Sequence, residues 1–218
     1  MGNQDTVILL HGLNRTHHSF SKMEYSLKEN DYNVINVNYP SQHFTVEELV
    51  KQYITPVIHA CEKECKTKIH FVTHSMGGIL LRYYLQFNSL QCLGNVVMLG
   101  PPNQGSEVVD KLKNVPGFKM INGPAGQQLG TTSSSIPQQL GPVNYPVGVI
   151  TGNRSINPIL SCIIPGKDDG KVSLKRARVE GMTDFLVVPY THTMIMRRRY
   201  VIEQTRHFLK NNQFKTAK

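Results

Sequence analysis

Tryptophan is absent from the 218 residues, and the four cysteines (Cys61, Cys65, Cys92 and Cys162) are too scattered for a disulfide scaffold. Cys61 and Cys65 stand four apart on a predicted helix, where a disulfide is geometrically poor. With His59 nearby they still lack the second ligand pair that a metal site needs. Free thiols in a reducing compartment are therefore expected. No apolar run approaches the roughly 20 residues that span a bilayer. The first five residues hold no basic patch, and the run Val7 to Leu10 is too short for a signal peptide, so a soluble, cytoplasmic chain is expected. A P-loop, a G-x-G-x-x-G turn and clustered metal ligands are all missing, and no cofactor is expected. Acidic residues are the last shortage, with 15 Asp and Glu against 24 Lys and Arg for a net charge of +9.

That charge is uneven. Residues 1–166 hold 12 Lys and Arg against 10 Asp and Glu, while residues 167–218 hold 12 against 5. A basic C-terminal stretch of this kind attracts a phosphate or an anionic membrane surface, or is simply a solvated helix face. Without a recognition motif, nucleic acid is not an expected partner. The chain is 39% hydrophobic and 18% charged, enough apolar material for a sizeable core, and its length suits one domain over residues 1–218.

Strand and helix alternate from the start. Val7-Ile8-Leu9-Leu10 is a continuous apolar run, as for a strand covered on both faces. Residues 18–29 read as a helix, and Val34 to Val37 as a second strand. A helix from about Thr45 to Cys65 opens on a capping box, Thr45 with Glu48, and Pro56 is expected to kink it. Lys68 to Val72, Asn95 to Leu99, Val147 to Thr151 and Phe185 to Val188 complete about six strands, and a last helix covers about 197–211. The alternation predicts an α/β fold, a mostly parallel sheet with helices on both faces. Residues 101–145, rich in Pro, Gly, Gln and Ser, read as a long loop with at most a short helix at 106–113, a functional loop or small lid.

Thr73-His74-Ser75-Met76-Gly77 is a variant of the G-x-S-x-G nucleophile elbow, with Thr73 in place of the first glycine. An apolar strand precedes it and an amphipathic helix follows, the context a strained strand-to-helix turn requires. His11-Gly12-Leu13, His74-Ser75-Met76-Gly77-Gly78 and Val96-Val97-Met98-Leu99-Gly100-Pro101-Pro102-Asn103 together resemble the α/β-hydrolase superfamily, most closely the small bacterial lipases and esterases without a large cap domain. The likeness reaches the residues near 169 and 192 and is least supported over 101–145. It implies Ser75 as nucleophile and the backbone amides of Leu13 and Met76 as the oxyanion hole. His11 and His74 are expected to shape those two turns.

A serine hydroxyl needs a base, itself oriented by an acid, and in this fold the order along the chain is Ser, acid, His. Only His192 and His207 follow Ser75. His192, just past the last strand, is the expected base; His207 lies midway along the last helix. The family's D-G-x-V turn is matched by Asp169-Gly170-Lys171-Val172, which makes Asp169 the expected acid and leaves its neighbour Asp168 as the alternative. Asp184 begins a strand, at the wrong end of the sheet.

The resemblance therefore implies a serine hydrolase of carboxylic esters acting on a small acyl ester or lipid. Thioesterase, amidase and acyltransferase activity on the same triad remain open, as does a non-catalytic scaffold that binds lipid or an anionic surface. Arg15, His17 and His18 follow the oxyanion loop and either touch a polar substrate head or belong to a solvated loop. Arg197-Arg198-Arg199 opens the last helix, where cations are unfavourable, and fits an anionic partner or plain solvent exposure.

Overall fold

A parallel strand whose every residue is apolar must be covered on both sides, because successive side chains point to opposite faces. The computed structural model describes residues 4–156, 161 and 164–216, which leaves Cys162 outside. Its six strands are β1 (Thr6–Leu10), β2 (Asn33–Val37), β3 (Ile69–His74), β4 (Leu93–Leu99), β5 (Val147–Gly152) and β6 (Asp184–Val188). They pair in parallel throughout, in the order β2-β1-β3-β4-β5-β6. Ile8, Leu10, Phe71, Val96 and Met98 enter one core, and Val7, Leu9, Val72, Val97 and Leu99 enter the other. The expected α/β class and strand set are thus present.

Helices cover both faces. A 3₁₀ turn, His17–Phe20, leads into α1 (Ser21–Lys28), which supplies Met23 and Leu27 to the second core. The first core is roofed by α2 (Val46–Leu49), a π-helical turn (Val50–Ile54) and α3 (Thr55–Glu64), together with α4 (Met76–Phe87). Both halves of the Thr45–Glu48 capping box form. Pro56 sits in the first turn of α3, where its missing N–H is tolerated, and the helix irregularity is taken up just before it.

The stretch read as loop, 101–145, departs from expectation. It folds as three short helices, α5 (Glu107–Leu112), α6 (Phe118–Gln127) and α7 (Ile136–Gln139). Several of its glycines and prolines serve helix joints. Gly123, at φ 63°, ends one helical stretch, and Pro124 begins the next within α6. A side chain at Gly123 would collide with the Gln42 carbonyl, so this joint lies directly on the loop after β2. The chain closes with α8 (Arg199–Asn211), an amphipathic helix that packs Val201, Ile202, Phe208 and Leu209 on the second core. Among the described residues no helix is long and apolar enough to cross a membrane.

Two buried polar groups anchor the parts that frame the sheet's carboxyl edge. Arg82 of α4 is 5% exposed and its guanidinium meets only carbonyl-type acceptors. Nη1 donates to Asn103 O at 2.8 Å and to Asn103 Oδ1 at 3.3 Å; Nη2 donates to Leu140 O at 3.0 Å and Gly141 O at 2.8 Å. One side chain therefore ties both ends of the helical insertion to α4. Burial lowers its pKa to about 10, so it stays charged at neutral pH. His11, fully buried after β1, stacks on Tyr39 with ring centroids 3.9 Å apart, and the Tyr39 hydroxyl donates to the His11 carbonyl. These contacts fix the turn that leads to Gly12 and Leu13.

Arg82→Met should cost about 3 kcal/mol of unfolding free energy, since four carbonyl acceptors lose their donor. Urea titration checks it, and a loss below about 0.5 kcal/mol contradicts the anchoring role. Burial holds His11 at a pKa of about 4, below the ~6.5 of an unfolded chain. Its contribution is complete above pH ~6.5 and is lost as pH falls toward 4, because only the unfolded state takes up the proton. His11→Asn should flatten the dependence of stability on pH in that window by up to ~1.4 kcal/mol per pH unit. An unchanged slope would refute the assignment.

Candidate active site

At the carboxyl end of β3 the chain must turn sharply into α4, and Ser75 makes the turn at φ 52°, ψ −122°, a conformation a side-chain-bearing residue rarely adopts. The turn closes because its neighbours are small. A Cβ on Gly77 would collide with the Leu10 carbonyl of β1, and one on Gly12 would lie 3.1 Å from Ser75 Cβ and 2.7 Å from His74 Nδ1. The Ser75 amide donates to Leu99 O at 2.9 Å, fastening the turn to β4.

The structure brings Ser75, His192 and Asp169 together. His192 Nε2 lies 2.9 Å from Ser75 Oγ, and His192 Nδ1 lies 2.7 Å from Asp169 Oδ2. His192 sits on the loop after β6, and its amide donates to Asp169 O at 2.9 Å. Asp169 is 1% exposed, and its other oxygen, Oδ1, accepts from the amides of Lys171 at 3.0 Å and Val172 at 2.9 Å. Gly100 and Gly152 supply the space. A Cβ on Gly100 would stand 3.0 Å from Asp169 Oδ2, and one on Gly152 would stand 3.0 Å from Asp169 Cβ. Asp168 faces elsewhere, its Oδ1 accepting from Gly170 N at 2.7 Å and Ser161 Oγ at 3.0 Å.

His74 supports the imidazole from behind. Its Nε2 donates to the His192 carbonyl at 2.9 Å, and the two rings lie 4.9 Å apart. Burial pushes the His74 pKa well below its ordinary value, with further repulsion from His192, Arg15 and Lys171, so the ring is neutral. Neutrality with Nε2 protonated leaves Nδ1 as an acceptor, buried and unpartnered among the described residues. The amides of Leu13 and Met76 likewise have no acceptor among the described residues. Met76 is the first residue of α4, so its N–H has no carbonyl within the helix.

Ser75 and His192 open onto a cavity of about 300 Å³. Its apolar wall comes from the insertion and the turn after β1, with Leu13, Val109, Leu112, Phe118, Ile121 and Leu129 foremost. Sequence reasoning missed this wall, whose only signal was the apolar spacing Val108, Val109, Leu112 in α5. Arg15 and Lys171 also line it, and Ser106 Oγ steadies the latter by donating to Lys171 O at 2.8 Å. Of the other candidates, His17 and His18 lie ring against ring at a tilt and do not line the cavity, His207 of α8 bonds Gln213 O just beyond that helix, and Asp184 accepts from Phe214 N. Asn103 is structural, joined to Arg82 and to Ala177 O. No group of three or more metal-ligating side chains occurs among the described residues.

Comparison with solved structures places this fold among lipolytic enzymes. The lipase BlEst2 of Bacillus licheniformis in mature form superposes with a TM-score of 0.74 at 20% identity, covering 90% of this chain and 88% of the other. A thermophilic esterase from Thermogutta terrifontis gives 0.65 at 13% identity over 97% and 92% of the two chains. Phospholipase PlaB from Legionella pneumophila gives 0.70 at 17% identity over 88% of this chain, which spans 53% of that one. At such identities the likeness is one of fold. No curated protein sequence matches. The sequence model of the palmitoyl protein thioesterase family matches residues 6–145, a segment that holds Ser75 and both unpartnered amides and stops before Asp169 and His192. The chain belongs to the palmitoyl protein thioesterase family, and its α/β-hydrolase fold is one it shares with these lipases and esterases.

Proposed function

We propose that this chain hydrolyses carboxylic esters through a Ser75–His192–Asp169 triad and an acyl-enzyme intermediate. The observation that carries the reading is the continuous path from Ser75 Oγ to His192 Nε2 at 2.9 Å and from His192 Nδ1 to Asp169 Oδ2 at 2.7 Å, at the wall of an apolar cavity. Asp169 holds the imidazole as the Nδ1–H tautomer, which leaves Nε2 free to take the Ser75 proton. As Ser75 Oγ attacks the acyl carbon, negative charge grows on the carbonyl oxygen. The Met76 and Leu13 amides, free of other acceptors among the described residues, are the donors suited to receive it. His192 then returns the proton to the leaving group, and a water activated by the same nitrogen releases the acid. The apolar wall takes the acyl chain. This chemistry requires no cofactor.

Thioester hydrolysis is the second reading, favoured by the family match over residues 6–145. A thiolate leaves more readily than an alkoxide and needs less help from His192, so the same groups serve both reactions.

A fluorophosphonate probe should label the wild-type protein at Ser75, and Ser75→Ala should abolish labelling. Asp169→Asn should lower kcat by on the order of 10⁴ while the protein still folds. Failure of the folded wild type to label would refute the serine-hydrolase reading. On a panel of esters and matched thioesters from acetyl to palmitoyl, Leu112→Trp should preserve turnover of the shortest chains and cut that of octanoyl and longer ones at least about tenfold. A loss uniform across chain length would remove the insertion from acyl binding.

A further inference from the structure

Several cations of this protein have protein partners. Arg176 pairs with Glu107 at 3.0 Å, Lys28 with Glu24 at 2.7 Å and Arg199 with Glu203 at 2.8 Å, while Arg82 is enclosed by carbonyl oxygens. Arg15 and Lys171 differ. Both line the cavity of Ser75, and among the described residues no Asp or Glu lines it with them. Neither side chain has an ion pair or hydrogen bond among the described residues. Lys171 is exposed at the mouth of the cavity and Arg15 is half-buried; partial desolvation there, then the nearby charge of Arg15, holds the Lys171 ammonium below its usual range against the pull of Asp169. Two unpartnered like charges in one cavity repel, and an anion between them turns that repulsion into attraction.

The backbone determines where such an anion sits. Lys171 follows Asp169 by two residues and its amide donates to that carboxylate, which places it on the acid–base side of the site. Arg15 follows Leu13 by two residues, on the oxyanion turn. The apolar wall accepts the acyl chain, so the charged group belongs to the half of the substrate that departs toward His192. We infer that the substrate is an acyl ester or thioester whose leaving alcohol or thiol bears a phosphate, held by Arg15 and Lys171. The inference rests on Ser75 as the nucleophile. The reaction balances as before: the acyl C–O or C–S bond breaks, the Ser75 Oγ–C bond forms, and the Ser75 proton passes through His192 to the leaving oxygen or sulfur. Water then cleaves the acyl-enzyme to the free acid and Ser75. Two common carriers share this chemistry, a glycerophosphate ester and a phosphopantetheine-type thioester.

The test uses matched pairs of equal chain length: octanoyl glycerol against octanoyl glycerol 3-phosphate, and octanoyl N-acetylcysteamine against octanoyl coenzyme A. The phosphate-bearing member of at least one pair should show kcat/KM about ten- to hundredfold higher, chiefly through KM. That ratio should fall toward one in the Arg15→Gln/Lys171→Gln double variant and shrink with added salt, whereas Lys63→Gln on α3 leaves it unchanged. The pair that shows the preference identifies the carrier. Equal rates within both pairs, or an unchanged ratio in the double variant, would overturn the inference while leaving the esterase reading intact. If no compound is turned over, the esterase reading fails. Calorimetric titration of the Ser75→Ala protein with glycerol 3-phosphate and with coenzyme A then decides the anion site alone. Binding of either that disappears when both cations are replaced sustains the site, and no binding of either overturns it.

Discussion

The backbone of Ser75 is the constraint on which the rest depends. Holding a non-glycine residue at φ 52° and ψ −122° costs on the order of 1–3 kcal/mol, and it persists only if the surroundings allow no relaxation. Here β1 and β4 flank the strand that delivers it. The Leu99 carbonyl captures the Ser75 amide, and Gly78 N donates back to Ser75 O at 3.0 Å. Gly77 has no room for a side chain against β1. The same close approach of β1 to α4 sets the turn after β1 against the elbow, where a Cβ on Gly12 would lie 3.1 Å from Ser75 Cβ.

The sheet was legible because its strands are buried on both faces and read as continuous apolar runs, Val7 to Leu10 being the clearest. The elbow was legible through its context, despite Thr73 standing where the motif has glycine. The structure supplies the compensation. Thr73 is fully buried, and a Cβ at Gly78 would lie 3.2 Å from its Oγ1, so the space that one glycine would have provided comes from another. Between Asp168 and Asp169, the D-G-x-V turn favoured Asp169, and local sequence offered nothing more. In space the two differ plainly: Asp169 fits the gap left by Gly100 and Gly152 beside His192, while Asp168 turns back onto its own hairpin. The insertion was illegible for a different reason. Gly and Pro mark loops only on average, and at Gly123-Pro124 they join two helical segments against a neighbouring loop.

Net charge was the least transferable feature of the sequence. The excess of +7 over residues 167–218 suggests one basic surface, yet the fold disperses it. Arg178 lies over the Phe185 ring at 3.7 Å and Arg198 over Tyr190 at 5.2 Å. Arg206 bonds Asn30, Arg176 meets Glu107 across the insertion, and Arg199 is matched within its own helix. These contacts are of structural use and are worth little at long range once screened. The charges with chemical consequence are the few whose surroundings leave them unmatched, and composition cannot distinguish those from the rest. Lys171 shows the difference: one residue of a basic C-terminal quarter by sequence, it is set by the turn that holds Asp169 at the wall of the cavity onto which Ser75 opens.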